Sequence, residues 1–427
     1  MEMSILTTIH EEINATLQRK IIPFWLKRSI DSHYGGFLTC FDSNGVASDD
    51  TNKYIVTQTR MLWGFSYLVD RCPPEFLKEI NAAAKQGADF IIEYFWDKKN
   101  GGFVWKTDRS GRTLDDGKLV YGESFAIYAL SEYYRRSRDQ RVLDYAEKTF
   151  DLLQVYTADT VNGGYYENLE SDWRRSEGGK YAGDRKSLDI HMHLMEAFTT
   201  LYAVSNKEIH GRKLGEIINI LLKHMINTEL GYGYNQFDVE FNRIPAINIY
   251  RTWNDDRETG EAVTVPTDTT SYGHNVELSW LLKLALDTLK IENPEYTTVM
   301  RKLLDHSLKY GYDYEFGGIY RDGVADGKVL VTDKEWWQNF EALVGYANGY
   351  LCFEDDRYLT ALKTTWDFVR DKFINADVGE SRQLLDKKGE PIVSNMGNPW
   401  KGIYHTGRAL TETLDRIEKI ITKGQTK

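Results

Sequence analysis

What most constrains this chain is a glycine-aromatic signal that recurs along it: Tyr34-Gly35-Gly36-Phe37, Asn100-Gly101-Gly102-Phe103, Asn162-Gly163-Gly164-Tyr165, Leu230-Gly231-Tyr232-Gly233-Tyr234 and Phe316-Gly317-Gly318-Ile319-Tyr320. Glycines followed by an aromatic read as a tight turn entering a short strand. Amphipathic segments of helical period precede these turns, among them Glu75 to Trp96, Gln140 to Tyr156, Glu208 to Ile226, Tyr296 to Tyr310 and Tyr358 to Phe373. After each turn and a polar loop comes a second, more apolar helical segment. The recurring unit is a helical hairpin, so the chain reads as a repeat architecture.

The second segments can be laid over one another: Gln58-Thr59-Arg60-Met61-Leu62-Trp63, Tyr121-Gly122-Glu123-Ser124-Phe125-Ala126, His191-Met192-His193-Leu194-Met195-Glu196, Tyr272-Gly273-His274-Asn275-Val276-Glu277, Trp336-Trp337-Gln338-Asn339-Phe340-Glu341 and Ile403-Tyr404-His405-Thr406-Gly407-Arg408. One column then holds Arg60, Glu123, His193, His274, Gln338 and His405, polar at every position. Three residues on, one turn along the same helix face, stand Trp63, Ala126, Glu196, Glu277, Glu341 and Arg408. Six hairpins whose second helices are the more apolar are what a closed ring requires. The expected fold is all-α, an (α/α)6 barrel with short β-hairpins at the inter-helix turns, forming a single domain over residues 1–427. The N-terminal ends of the inner helices would then share one mouth. Members of the polar column lie roughly 63 to 70 residues apart, but about 81 separate His193 from His274. The surplus falls in residues 241–270, a polar stretch carrying Trp253 and Asp256 that is expected to cover the mouth as a lid.

Composition excludes several classes of function. A net charge of −11 argues against nucleic acid as a partner. No window approaches the apolar length of a membrane span. Met1 to Lys20 shows the amphipathic spacing Ile5, Ile9, Ile13, Leu17 in place of a signal sequence. Cys40, Cys72 and Cys352 are few and scattered, which fits a reducing compartment without disulfides. A cytoplasmic enzyme, monomeric or homodimeric, is the expectation.

Three histidines, an arginine and several glutamates around one pocket admit three chemistries. The first is proton transfer by His193, His274 and His405, with glutamates fixing the imidazole tautomers and Arg60 stabilising an oxyanion. The second is a three-histidine metal site, weakened by the lack of a His-x-x-x-His pair. The third is glycoside hydrolysis by paired carboxylates such as Glu123 and Glu277. Trp336, Trp337 and Trp400, with Tyr121, Tyr272 and Tyr404, cluster at the inner-helix starts, and rings of this kind stack on sugars. His191 is also a candidate for pocket contact, whereas His10, His33, His210, His224 and His306 fall on outer helices or loops.

Arg60 in Gln58 to Trp63, the run His191 to Ala197, Gly273-His274-Asn275-Val276-Glu277, Glu335-Trp336-Trp337-Gln338 and Tyr404-His405-Thr406-Gly407-Arg408 together resemble the N-acylglucosamine 2-epimerase and cellobiose 2-epimerase superfamily. The likeness spans essentially the whole chain. It implies cofactor-independent epimerisation at C2 of an aldose, a small-molecule sugar substrate. By that resemblance His274 and His405 are the acid/base pair, His193 assists at the C1 oxygen, Arg60 steadies the enediolate and Glu277 partners its histidine. Trp337, Trp400, Trp336 and Tyr121 would contact the sugar. The insert with Trp253 and Asp256 resembles the pocket-covering loop of mannose 2-epimerases. Asp189 stands where cellobiose epimerases carry Asn, and Thr406 where Asn is common, so the implied substrate pair is D-mannose and D-glucose.

Overall fold

The computed structural model describes residues 2–245, 267–325 and 327–425. Helices alternate between an outer and an inner layer. The outer ones are α1 (Glu2–Thr16) running through a π turn into α2 (Ile22–Arg28), then α4 (Leu77–Phe90), α6 (Gln140–Tyr156), α8 (Glu208–Ile220), α10 (Pro294–His306) and α12 (Asp356–Phe368). The inner ones are α3 (Ile55–Tyr67), α5 (Val120–Ser137), α7 (Leu188–Ser205), α9 (Tyr272–Leu289), α11 (Trp336–Phe353) and α13 (Ile403–Gln425). Each inner helix packs on the next, α13 packs back on α3, and an outer helix lies against each inner one.

The two layers follow from pattern. Outer α6 buries Val142, Leu143, Ala146, Thr149, Phe150 and Leu153, a single stripe at helical spacing. Inner α11 buries every residue from Trp336 to Gly349, as a helix surrounded by protein must. Ser187 and Ser271 cap α7 and α9 by accepting the N–H groups of Ile190 and His274. At the other ends Arg138, Asn206, Lys290 and Glu354 adopt left-handed backbone, the ordinary stop for a helix. The ring closes tightly: a Cβ on Gly64 of α3 would come within 2.1 Å of Ile403 at the start of α13. The Phe41 N–H also donates to Gly397 at 3.1 Å, tying the first repeat to the segment before α13.

One device repeats at the mouth and sets where each inner helix begins. In the fifth hairpin the Gly317 N–H donates to the Asp313 carbonyl at 2.9 Å. Lys334, just ahead of α11, donates to the Asp313 carboxylate at 2.8 Å and to the Gly317 carbonyl at 2.7 Å. Asn339 then accepts the Ile319 N–H at 2.8 Å. Gly318 has φ +78° and a Cβ there would meet Asn339 Oδ1 at 2.4 Å, so glycine is required on both counts. The same buried lysine–aspartate pair recurs as Lys53–Asp31, Lys118–Asp97 and Lys186–Asp159. The role of Asn339 is taken by Gln58, Glu123, His191 and Asn275, each accepting a turn N–H.

Those acceptors are the fourth residues of their helices, and they correct the sequence overlay. His274, Gln338 and His405 are third residues, Glu123 is a fourth, and Arg60 and His193 are sixth. The overlaid column therefore merged three layers. Because each residue turns the helix by about 100°, a one-residue slip changes which way a side chain faces. Glu123 and His191 point into turns, not into the mouth. Helix starts are spaced by about 65 residues, with about 84 between α7 and α9. The extra length is real, but its edges differ from expectation. Residues 241–245 finish a hairpin, in which Asn242 accepts the Asp238 N–H at 2.9 Å, and Thr269–Ser271 form a strand. The rest of the expected lid, with Trp253 and Asp256, lies outside the described residues.

Lys334→Met leaves Asp313 charged, buried and unpaired, and a broken buried pair costs about 3–5 kcal/mol. Urea denaturation should show that loss, whereas substitution of the exposed Lys363 should leave the midpoint nearly unchanged.

Candidate active site

The mouth gathers side chains from all six inner helices. Arg60 comes from α3, Tyr121 from α5, Asp189 and His193 from α7, His274 from α9, Trp337 from α11 and His405 from α13. His193 is 3% exposed, His405 5%, and His274 and Trp337 8% each, so the groups are nearly but not wholly closed off. The Trp337 ring lies 4.7 Å from the His274 ring and 5.6 Å from the His405 ring, centroid to centroid. Asp189 Oδ1 is 3.3 Å from His193 Nε2 and 3.4 Å from His274 Nε2. Arg60 donates to the Tyr121 hydroxyl at 2.8 Å and to the Trp400 carbonyl at 2.6 Å. Tyr121 also packs on His193 at 5.3 Å and on Trp400 at 5.8 Å. Trp400 rests on Trp105 at 5.6 Å, a wall residue that sequence reasoning missed. Its signal was its place two residues after the Gly102-Phe103 turn.

Beneath this layer Arg408 of α13 is fully buried and bonds to Glu196, Glu277, Glu341 and the Tyr404 hydroxyl, which come from four different helices. It lies between the rings of Tyr404 and Trp280, at 4.2 and 4.9 Å. The glutamates in turn hold the histidines. Glu196 Oε2 is 2.9 Å from His193 Nδ1, and Glu341 Oε1 is 2.9 Å from His405 Nδ1. Glu277, expected to partner His274, bonds instead to Arg408, and the ring nitrogen of His274 faces Asp189. Glu277, Glu341 and His405 bring ligand atoms within 4.8 Å of one another. The guanidinium bonded to both glutamates already supplies the positive charge a metal would bring there.

The electrostatics separate the histidines. Burial works against a charged His193, but Asp189 and Glu196 on its two nitrogens overcome it and raise the ring to about 9. Burial and the positive charges of Arg60 and Arg408 drive His405 well below its ordinary value. With Nδ1 turned to Glu341, a neutral His405 offers a free Nε2 lone pair as a base. Burial, opposed by Arg408 and assisted by Glu277, pushes Glu341 up to about 8. Glu196 is held down at about 2 despite its burial, by Arg408 and His193.

Trp336 is buried at the start of α11, edge-on to His405 at 6.2 Å with Lys401 over its ring at 5.7 Å. It backs the histidine, while Trp337 makes the close contact. His191 donates nothing to the mouth, since its two nitrogens meet the Tyr165 N–H and the Ser187 carbonyl. Glu123 accepts the Phe103 N–H, and burial raises its carboxyl to about 8, so the Glu123 and Glu277 pairing needed for glycoside cleavage is not assembled.

Against known proteins, residues 36–409 match the family model described as N-acylglucosamine 2-epimerase. The chain belongs to that family. It is 28% identical to a cellobiose 2-epimerase of Dictyoglomus turgidum, over 96% of this chain and 100% of that protein. A D-mannose isomerase of Marinomonas mediterranea is 26% identical over 93% of this chain and 95% of its own length. The solved structure of a cellobiose 2-epimerase from Bacillus thermoamylovorans superposes with a TM-score of 0.85 at 26% identity, covering 96% of this chain and 100% of that one. As a member of the family the chain is an enzyme of the isomerase class. No helix among the described residues is long and apolar enough to cross a membrane.

The raised value at His193 has a consequence for the fold. Its charge stabilises fully below its ordinary value near 6.5, and that contribution disappears as pH rises through about 9. Thermal melting of the parent and of His193→Asn from pH 6 to 10 should show a gap that narrows above pH 9.

Proposed function

We propose that this chain, folded as an (α/α)6 barrel, is a cofactor-independent sugar 2-epimerase that interconverts D-mannose and D-glucose. In the open-chain sugar a proton α to the carbonyl is removed on one face of C2, an enediolate forms, and a proton returns on the other face. The observation that carries this reading is the placement of His274 and His405 against the single Trp337 ring, at 4.7 and 5.6 Å. Two bases on different helices that flank one aromatic platform suit a carbon that must be reached from both sides. Arg60, fixed by Tyr121 and the Trp400 carbonyl, is the cation for the developing oxyanion, and a protonated His193 is the acid at the C1 oxygen. Asp189, Tyr121, Trp337 and Trp400 form the walls nearest the sugar, with Trp336 behind. Trp253 and Asp256 of the insert, expected from its resemblance to a pocket-covering loop to contact the sugar, lie outside the described residues. The acidic, cysteine-poor chain suits the cytoplasm.

The choice of a monosaccharide rests on the added length between α7 and α9, which resembles a pocket-covering loop, and on a carboxylate at position 189. A cellobiose 2-epimerase is the second reading, favoured by the identity and coverage of the cellobiose 2-epimerases above. Incubation with D-mannose and, separately, with cellobiose, followed by NMR of the sugars, separates the two. D-glucose from D-mannose supports the first reading. Conversion of cellobiose alone supports the second, fructose as the main product indicates an isomerase, and cleavage of an oligosaccharide without any change in free sugars contradicts both. His405→Ala should lower kcat by roughly 10²–10⁴-fold with folding intact by circular dichroism.

A further inference from the structure

We propose that Asp189 is a positioning residue that makes His193 and His274 share a single positive charge, so that proton removal at C2 and proton donation to the C1 oxygen occur together. This inference rests on the epimerase reading above. A single oxygen, Asp189 Oδ1, lies 3.3 Å from His193 Nε2 and 3.4 Å from His274 Nε2. The two rings stand on different helices, and Asp189 sits in the first turn of α7, four residues before His193, so the carboxylate comes from a rigid element. Its side chain is 16% exposed against 3% for His193, and Oδ1 itself is buried.

One carboxylate oxygen that faces two imidazoles pairs fully with one imidazolium at a time. In the resting site the charge sits on His193, whose other nitrogen faces Glu196 at 2.9 Å. His274 is then the neutral ring. When His274 takes the C2 proton, the C–H electron pair forms the C1–C2 double bond, the carbonyl π pair moves to O1, and O1 takes the proton from His193 Nε2. The substrate becomes a neutral enediol, the imidazolium has moved from His193 to His274, and the charge beside Asp189 is unchanged. His274 then releases its proton to solvent, His405 takes up a solvent proton and delivers it to the opposite face of C2, and O1 gives its proton back to His193. The barrier thereby avoids both a second buried cation and a free oxyanion.

The other groups around His193 differ in sign: Arg60 and Arg408 oppose a second cation, whereas the carboxylates Glu196 and Glu277 favour one. Glu196 shares its helix, Arg60 approaches from α3, Tyr121 from α5, Glu277 from α9, and His405 and Arg408 from α13. Against the effect of burial, Asp189 and Glu196 leave His193 protonated to about pH 9, in keeping with a resting charge on that ring.

Asp189→Asn keeps the size and hydrogen-bonding reach of the side chain and removes its charge. On the sugar that the parent converts, kcat should fall about 100-fold with KM changed less than about threefold, and the alkaline limb of the kcat profile should move toward neutral pH. Nitrogen-15 NMR of the imidazoles should show His193 doubly protonated at pH 8 in the parent and neutral in Asp189→Asn, with Asp189→Glu restoring part of the charge. An Asp189→Asn enzyme with the parent's kcat and alkaline limb overturns the proposal. So does a neutral His193 at pH 8 in the parent, a result that needs no variant to fold. A parent inert toward all free sugars would instead remove the epimerase reading itself.

Discussion

The interaction on which the rest of the site depends is the buried contact of Arg408 with Glu196, Glu277 and Glu341. Three carboxylates from three helices meet there in a low-dielectric interior, where unpaired charges are costly. One guanidinium, held between Trp280 and Tyr404, satisfies part of that demand. The remainder falls on the histidines: Glu196 keeps His193 charged, and Glu341, itself pushed up, faces a His405 that burial and nearby cations keep neutral. The difference between the two imidazoles is thus set by this layer together with Asp189 and Arg60 at the level of the rings.

That layer is aligned by the turns. Each lysine–aspartate pair and each side-chain acceptor for a turn N–H fixes where an inner helix starts, and so which residue of the helix faces the mouth. Third residues supply His274 and His405, and sixth residues supply Arg60, His193, the hub Arg408 and two of its partners, Glu277 and Glu341, while the third partner, Glu196, stands one turn further along α7. Unlike loops, helix starts locked in this way place functional groups with little freedom, which suits a reaction that needs two bases on one carbon.

Much of this was legible in the sequence. The glycine-aromatic period gave the hairpins, and residue types at the starts of the apolar helices singled out His193, His274, His405, Arg60, Trp337, Trp400 and Tyr121. The register was not. Overlaying polar residues by chemical type drew Glu123 into the mouth, although its carboxylate caps a turn. The turns held the missing information, because Gly36, Gly102, Gly164 and Gly318 each pass close to the fourth residue of the following helix. The partner of Glu277 was unreadable for another reason. His274 lies three residues away on the same helix face, whereas Arg408 reaches Glu277 only through ring closure, which no local pattern displays. Trp105 stayed hidden likewise, since its contact with Trp400 joins distant hairpins.

The account stands on two bases addressing one carbon. Reaction in heavy water, stopped early in the conversion, tests that directly by the position of deuterium. A proton taken by one histidine and returned by the other places deuterium at C2 of the product while the recovered substrate keeps its protium. Equal labelling of both sugars, or protium retained in the product, would mean that a single base serves both faces and would contradict the roles given to His274 and His405.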